Sequence, residues 1–399
     1  MSVLRHQPIK AFYLIFELLA TCFVRIPIWT LTAIPRSWRP RRSWSIKRTL
    51  LINLARHLFT TVGKTGPFRK IPNHHAITPS VEGQGVWIEP VPNLITGELQ
   101  IWADVAKVSA VRIPGYWLSK KGEKIEAGAP PMPAEKVIYA LHGGAYCRLS
   151  AHPSDPTTAI ARDLLKGIDT VHRVFSVEYR LSSGKPWPEE NPFPAALIDA
   201  LAGYNYLVNV VGFSPSDVII EGDSAGGNLA LALTRYLVEY RNSSVKLPTP
   251  PSALILLSPW TDLGVSHHDH PKASFFANQK SDYLGFRKTP GYGYTVEAFV
   301  GPHGAGAAEL NRYISPGSKN PAMKVSFEGF PHTFINAGGA EMLYDSIVTL
   351  RDRMVKDMGK DKVEFYDAPD AVHDYICLTS HEPERTQTLQ AIAKWVASL

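Results

Sequence analysis

The stretch DVIIEGDSAGGNLALALTRYL, residues 217–237, runs from a short apolar segment through Gly222-Asp223-Ser224-Ala225-Gly226-Gly227 into a helical pattern. Strand, tight turn and helix in that order make a nucleophile elbow. The serine is forced into a strained backbone conformation, and glycines two residues away on either side let neighbouring chain pack closely against it. Such a turn exposes the hydroxyl above the sheet, and the helix N-terminus favours negative charge developing beside it. Ser224 is therefore the expected nucleophile. A serine that merely sits in a glycine turn would leave the flanking strand and helix unexplained.

Apolar, β-branched runs recur on both sides of the elbow: KVIYALHGG (136–144), RVFSVEYR (173–180), ALILLSPW (253–260), TFINAGG (333–339) and VEFYDA (363–368). Their composition supports strands. Residues 195–211 and 226–241 have the length and periodicity of crossover helices, so the alternation predicts a mostly parallel sheet flanked by helices. VWIEPV and VRIPGYWL (111–118) precede these runs and are expected as antiparallel edge strands. No repeat, low-complexity tract or linker interrupts residues 85–399, which read as one domain; 399 residues with 45% hydrophobic content are ample for its core.

His142-Gly143-Gly144-Ala145-Tyr146 closes a strand upstream of the elbow. Glycines leave backbone N–H groups unobstructed, so Gly143, Gly144 or Ala145, joined by Ala225, can stabilise a tetrahedral oxyanion. His142, at the head of the loop, is expected to hold the loop in place. A serine also needs a positioned base, and that base a carboxylate, in the chain order Ser, acid, His. His373, in the loop DAPDAVHDY after the last strand, fits best; His332 precedes a strand and His381 opens the final helix. In NAGGAEMLYDS, Glu341 follows the strand end directly and is the expected acid. Asp345, one helical turn later, is the alternative, with a solvated helix carboxylate as its ordinary role.

The net charge of +6 invites a nucleic-acid reading, but much of the local excess lies at Arg36, Arg39, Arg41, Arg42, Lys47 and Arg48, which form a flank rather than a groove. Cys22, Cys147 and Cys377 give neither a disulfide framework nor a zinc pattern, so no metal is expected. Residues 11–35 are about as long as a bilayer-spanning helix, although Glu17, Arg25 and Pro27 interrupt them. No cleavable signal is evident, and the basic run that follows suits anionic lipid headgroups. Residues 1–50 are thus read as a membrane anchor or interfacial segment with a basic flank. The expected location is membrane-associated, with the endoplasmic reticulum in view. The alternative is a cytoplasmic protein whose N-terminal segment folds over the catalytic domain as part of a cap.

HGGAY, GDSAGG, SPWTDL, YISP (313–316), GGAEMLYD and HDY (373–375) together resemble the hormone-sensitive-lipase-like α/β hydrolases, a family that includes arylacetamide deacetylases and fungal steryl acetyl hydrolases. The resemblance covers residues 85–399. It implies an α/β-hydrolase fold with a helical cap, no cofactor, and the HGG loop as oxyanion hole. Its membrane-anchored members also carry a hydrophobic segment before the catalytic domain. Two departures stand out: Ala145 replaces the commoner third glycine, and Glu341 stands where many members have aspartate. Alanine keeps its N–H and glutamate its carboxylate. The function expected is hydrolysis of short-chain, acetyl-type esters of lipophilic alcohols through an acyl-enzyme. An amidase acting on aryl amides would use the same triad, and a non-catalytic small-molecule binding protein of the same fold is the third reading. The aromatic residues Phe275, Phe276, Tyr283, Phe286, Tyr292, Tyr294 and Phe299 are expected to wall the cap or pocket.

Overall fold

A computed structural model describes residues 3–68, 71–284 and 293–399. Eight strands form one sheet in the order β1-β2-β4-β3-β5-β6-β7-β8. They are β1 (Gly83–Ile88), β2 (Ile113–Ser119), β3 (Lys136–Leu141), β4 (Val171–Val177), β5 (Val218–Asp223), β6 (Ala253–Leu257), β7 (His332–Gly338) and β8 (Val363–Ala368). β2 pairs antiparallel with both β1 and β4, and every later pairing is parallel. The antiparallel edge expected from residues 86–118 is therefore present, with β1 starting at Gly83 and ending at Ile88.

Parallel strands covered on both faces must be apolar on both, and these are. Along β3, Val137, Tyr139 and Leu141 enter one core while Ile138 and Ala140 enter the other; along β5, Val218 and Ile220 alternate with Ile219. α1 (Ile9–Ala20), α2 (Ile26–Ala33) and α3 (Ile46–Thr65) precede the sheet, and α4 (Gly97–Ala106) joins β1 to β2. α5 (Thr158–Gly167), α6 (Ala195–Asn205) and α7 (Ala225–Glu239) are crossovers. α8 (Ser274–Ala277), α9 (Tyr294–Val300) and α10 (Gly304–Leu310) lie in the long excursion from β6 to β7, before α11 (Tyr344–Met358) and α12 (Glu384–Val396). α6, α7 and α11 contribute to the first core; α5 and α12 contribute to the second.

The N-terminal region departs from a simple tether. A π-helical turn over Thr21–Arg25 links α1 and α2, so that Ile9–Ala33 is one rod of 25 residues, with 11% of its most apolar window buried. Residue 50 falls inside α3, which runs on to Thr65. The basic run does not simply face outward, because several guanidinium groups find carbonyls and carboxylates of the protein. Arg39 donates to Ala33 O (2.7 Å) and Trp44 O (2.6 Å), Arg41 to Gly339 O and to Asn278 Oδ1 (2.9 Å), and Arg48 to both oxygens of Glu384 (2.7 Å each). Trp44 is buried and donates its indole N–H to Asp370 O (2.8 Å). Arg36, Arg42 and Lys47 remain exposed.

Candidate active site

Every expected catalytic side chain follows the carboxyl end of a parallel strand, the edge at which open α/β sheets place their sites. Ser224 comes directly after β5, with φ +50° and ψ −113°. That strained backbone is fastened by Ser224 N–H donating to Leu257 O (2.9 Å) and by Trp260 N–H donating to Ser224 O (2.8 Å). The flanking glycines are needed for room: a Cβ on Gly222 would sit 2.3 Å from Gly226 O, and one on Gly226 would sit 1.8 Å from Leu141 O.

The loops after β7 and β8 bring Glu341 and His373 to the serine. His373 Nε2 lies 2.9 Å from Ser224 Oγ, and Nδ1 lies 2.8 Å from Glu341 Oε2. A carboxylate only accepts, so Nδ1 carries a proton, and Nε2 is the nitrogen that faces the hydroxyl. Glu341 is held by Gly338 N–H donating to its Oε1 (2.8 Å) and by Asn278 donating to its carbonyl (2.8 Å). Asp345 is not brought to the imidazole. It lies in the first turn of α11 and accepts from Ser274 N–H (2.7 Å). His332 begins β7, and His381 precedes α12.

Asp374, which motif order gives no reason to single out, places Oδ2 3.0 Å from His373 Nε2. Burial alone would lower the imidazole's affinity for a proton. Asp374, followed by Glu341, overcomes this and holds His373 well above its ordinary value. Beneath the serine, burial, then Asp374 and Glu221, push the Asp223 carboxyl well above the usual range.

The loop at 142–146 is drawn tight by three successive left-handed residues: Gly144 (φ +107°), Ala145 (φ +53°) and Tyr146 (φ +59°). The expectation that Gly143 donates to an oxyanion meets an obstacle, because its N–H is already given to Asp223 Oδ1 (3.0 Å). Gly144 and Ala145 N–H have no partner among the described residues, and Ala225 N–H heads α7, where no intrahelical acceptor exists. His142 is buried, with its ring stacked on Tyr179 at 4.2 Å and its Nδ1 2.7 Å from Gly143 O. Burial lowers its pKa to about 4, so it is neutral and structural.

Asn228 explains why motifs far apart in sequence occur together. It donates to Trp260 O (2.9 Å) and Ile314 O (2.8 Å) and accepts from the Tyr146 hydroxyl (2.7 Å), tying the SPW and YISP runs to the oxyanion loop. Among the aromatic residues expected around the pocket, Tyr283 has its ring 6.1 Å from that of His373, and Phe299 stacks on Tyr146 at 3.9 Å. Phe275 and Phe276 pack instead with His268, and Tyr294 packs with Trp187. Phe286 and Tyr292 lie outside the described residues.

Known proteins share this fold. Residues 138–377 match the family described as alpha/beta hydrolase fold. An esterase of Acinetobacter venetianus is 30% identical over 299 residues, covering 73% of this chain and 82% of the relative. An acetyl-hydrolase of Streptomyces hygroscopicus is 34% identical over 135 residues, covering 33% of this chain and 39% of the relative. The crystal structure of an esterase from the bacterial hormone-sensitive lipase family shares the fold, with a TM-score of 0.57 and 23% identity over 89% of this chain and 99% of that chain. The family match spans more than half the chain and the Acinetobacter relative nearly three quarters of it, so the protein belongs to the α/β-hydrolase fold family.

Proposed function

We propose that the protein is a serine carboxylesterase that cleaves short-chain, acetyl-type esters of lipophilic alcohols through an acyl-enzyme on Ser224. The observation that carries the proposal is the unbroken line Ser224 Oγ, His373 Nε2, His373 Nδ1, Glu341 Oε2, with separations of 2.9 and 2.8 Å. His373 Nε2 takes the hydroxyl proton as Oγ attacks the ester carbonyl. Gly144, Ala145 and Ala225 N–H receive the oxyanion, and Glu341 balances the imidazolium. The proton then passes to the leaving alkoxide, the alcohol departs, and His373 activates water to release the acid. The similarity to an acetyl-hydrolase supports a small acyl group. The apolar rod Ile9–Ala33 supports a protein held at a membrane, where lipophilic alcohols concentrate.

Hydrolysis of p-nitrophenyl acetate, butyrate and octanoate, with Ser224→Ala as control, tests the reading. The expected result is highest turnover on the short esters, lost in the variant. Equal turnover by the variant would remove Ser224 from the mechanism, and preference for octanoate would remove the acetyl-type substrate.

A further inference from the structure

The rod formed by α1 and α2 carries its two internal charges on one stripe, while Thr30 and Thr32 outside that stripe give their hydroxyls to Ile26 O (2.8 Å) and Trp29 O (3.1 Å) of the rod itself. Tyr13, Glu17, Thr21 and Arg25 recur every fourth residue, and Trp29 and Ala33 continue the line. Glu17 Oε2 pairs with Arg25 (2.7 Å) and, across to α3, with His57 Nε2 (3.3 Å); the Trp29 ring meets the edge of His57 at 6.3 Å. At one end Lys10 donates to Pro67 O (2.9 Å) and Arg5 to Gly63 O (2.9 Å); at the other, Arg39 closes the corner between α2 and Trp44. The rod thus lies antiparallel along α3 from end to end. α3 in turn is fastened to the catalytic domain by Arg48 on Glu384 and by Arg56 Nε donating to Asp282 O (2.8 Å).

Most of the rest of the rod's surface is left uncovered by the described residues. Phe12, Phe16, Leu18, Phe23, Leu31 and Ile34 are each more than half exposed, and the only charged residues between Lys10 and Arg36 are Glu17, which reaches His57 of α3, and Arg25, which pairs with Glu17 within the rod. Exposed Arg36, Arg42 and Lys47 lie beside the corner, with Trp38 70% exposed among them.

We propose that Ile9–Ala33 is an in-plane membrane-docking surface rather than a bilayer span, its outer face sunk into the headgroup and acyl boundary of an anionic phospholipid bilayer. The proposal rests on the reading that the protein is held at a membrane, and it specifies how. Length does not decide the matter, because 25 residues reach about 37 Å against a hydrocarbon core of about 30 Å. The packing against α3 does. A spanning rod would either strip Glu17 from His57 and leave the Glu17–Arg25 pair in lipid, or draw α3 with Lys47, Arg48, Arg56 and Lys64 into hydrocarbon. Lying flat avoids both, buries the apolar faces, and sets the exposed basic corner and Trp38 at phosphate depth. Phe59 of α3 meets Tyr283 at 6.3 Å, and Tyr283 meets His373, so one helix layer separates the bilayer from the catalytic base.

The test uses full-length protein with Cys22, Cys147 and Cys377 replaced by serine and a fluorophore attached in turn through Phe12→Cys, Phe23→Cys or Leu31→Cys. Each form is bound to vesicles of phosphatidylcholine and phosphatidylserine that carry either a shallow or a deep quencher. The expected result is the same shallow depth at all three positions. Deep quenching at residue 23, with shallow quenching at 12 and 31, would establish a span and overturn the proposal. No binding of the unsubstituted protein to these vesicles would overturn the membrane reading itself.

Discussion

His373 is held between two carboxylates, Glu341 on Nδ1 and Asp374 on Nε2, and the second has consequences for pH. In the proposed mechanism His373 works only when neutral, so its raised pKa should move the acid limb of kcat/KM to higher pH. Asp374→Asn removes a negative charge 3.0 Å from Nε2 and should move that limb down by about 1–3 units, read from the pH profile with p-nitrophenyl butyrate. An unmoved limb would show that Asp374 does not act on the histidine. Glu341→Gln should lower kcat by roughly 10³–10⁴-fold, as loss of a triad acid does elsewhere. Asp345→Asn should leave kcat near wild type, since the Asp345 carboxylate accepts from Ser274 N–H and does not reach His373 among the described residues; the reverse ranking would reassign the acid. Ser224, His373 and Glu341 were legible because an elbow, a strand end and a terminal loop each announce themselves in chain order. Asp374 and the engagement of Gly143 by Asp223 were not, since both depend on side-chain orientations in loops closed by distant residues.

Among the elements, the oxyanion loop concentrates the most strain. Its three consecutive left-handed residues are tolerated because Tyr146 is bound by Asn228 and Tyr179 donates to His142 O (2.6 Å). Gly144→Ala would put a Cβ 2.2 Å from Arg148 O at a φ of +107°, so the loop must move. The expected outcome is a loss of kcat of about 10²-fold, the scale of one oxyanion donor, with the far-ultraviolet circular dichroism of the sheet retained. Unchanged kcat would mean that Gly144 N–H does not face the oxyanion. The alternation of strands and helices was readable from β-branched runs and helical periodicity, as with β5 and α7. The use of α3 was not readable: its attachments are side-chain bonds from Arg48 and Arg56 to residues more than 200 positions away.

For the molecule as a whole, the N-terminal region braces the loops beside the site and carries the apolar rod proposed above as a membrane surface. Deleting residues 1–35 should release the protein from membranes and leave ester hydrolysis intact, because Arg41, Trp44 and Arg56 stay. Deleting residues 1–66 removes those ties to Gly339, Asp370 and Asp282, beside the acid and base loops, and should abolish hydrolysis. Activity surviving the longer deletion would dismiss the brace. Buried carboxyls set a second property of the whole chain. Burial pushes both Glu178 and Glu221 up to about 8. The folded state therefore holds protons that the unfolded chain releases above its ordinary carboxylate pKa, and stability present at low pH is lost as pH rises toward 8. The change in Tm from pH 5 to pH 8 should be roughly 2–4 °C less unfavourable in Glu178→Gln than in the wild type. An equal change in the variant would show that Glu178 does not contribute to it. Reacting the full-length protein with a fluorophosphonate, and measuring intact mass alongside residual hydrolysis, tests whether one activated serine carries the chemistry. The expected result is a single adduct, mapped to Ser224, that extinguishes activity and is absent from Ser224→Ala. Full activity in fully labelled protein, or labelling that persists in Ser224→Ala, would contradict it.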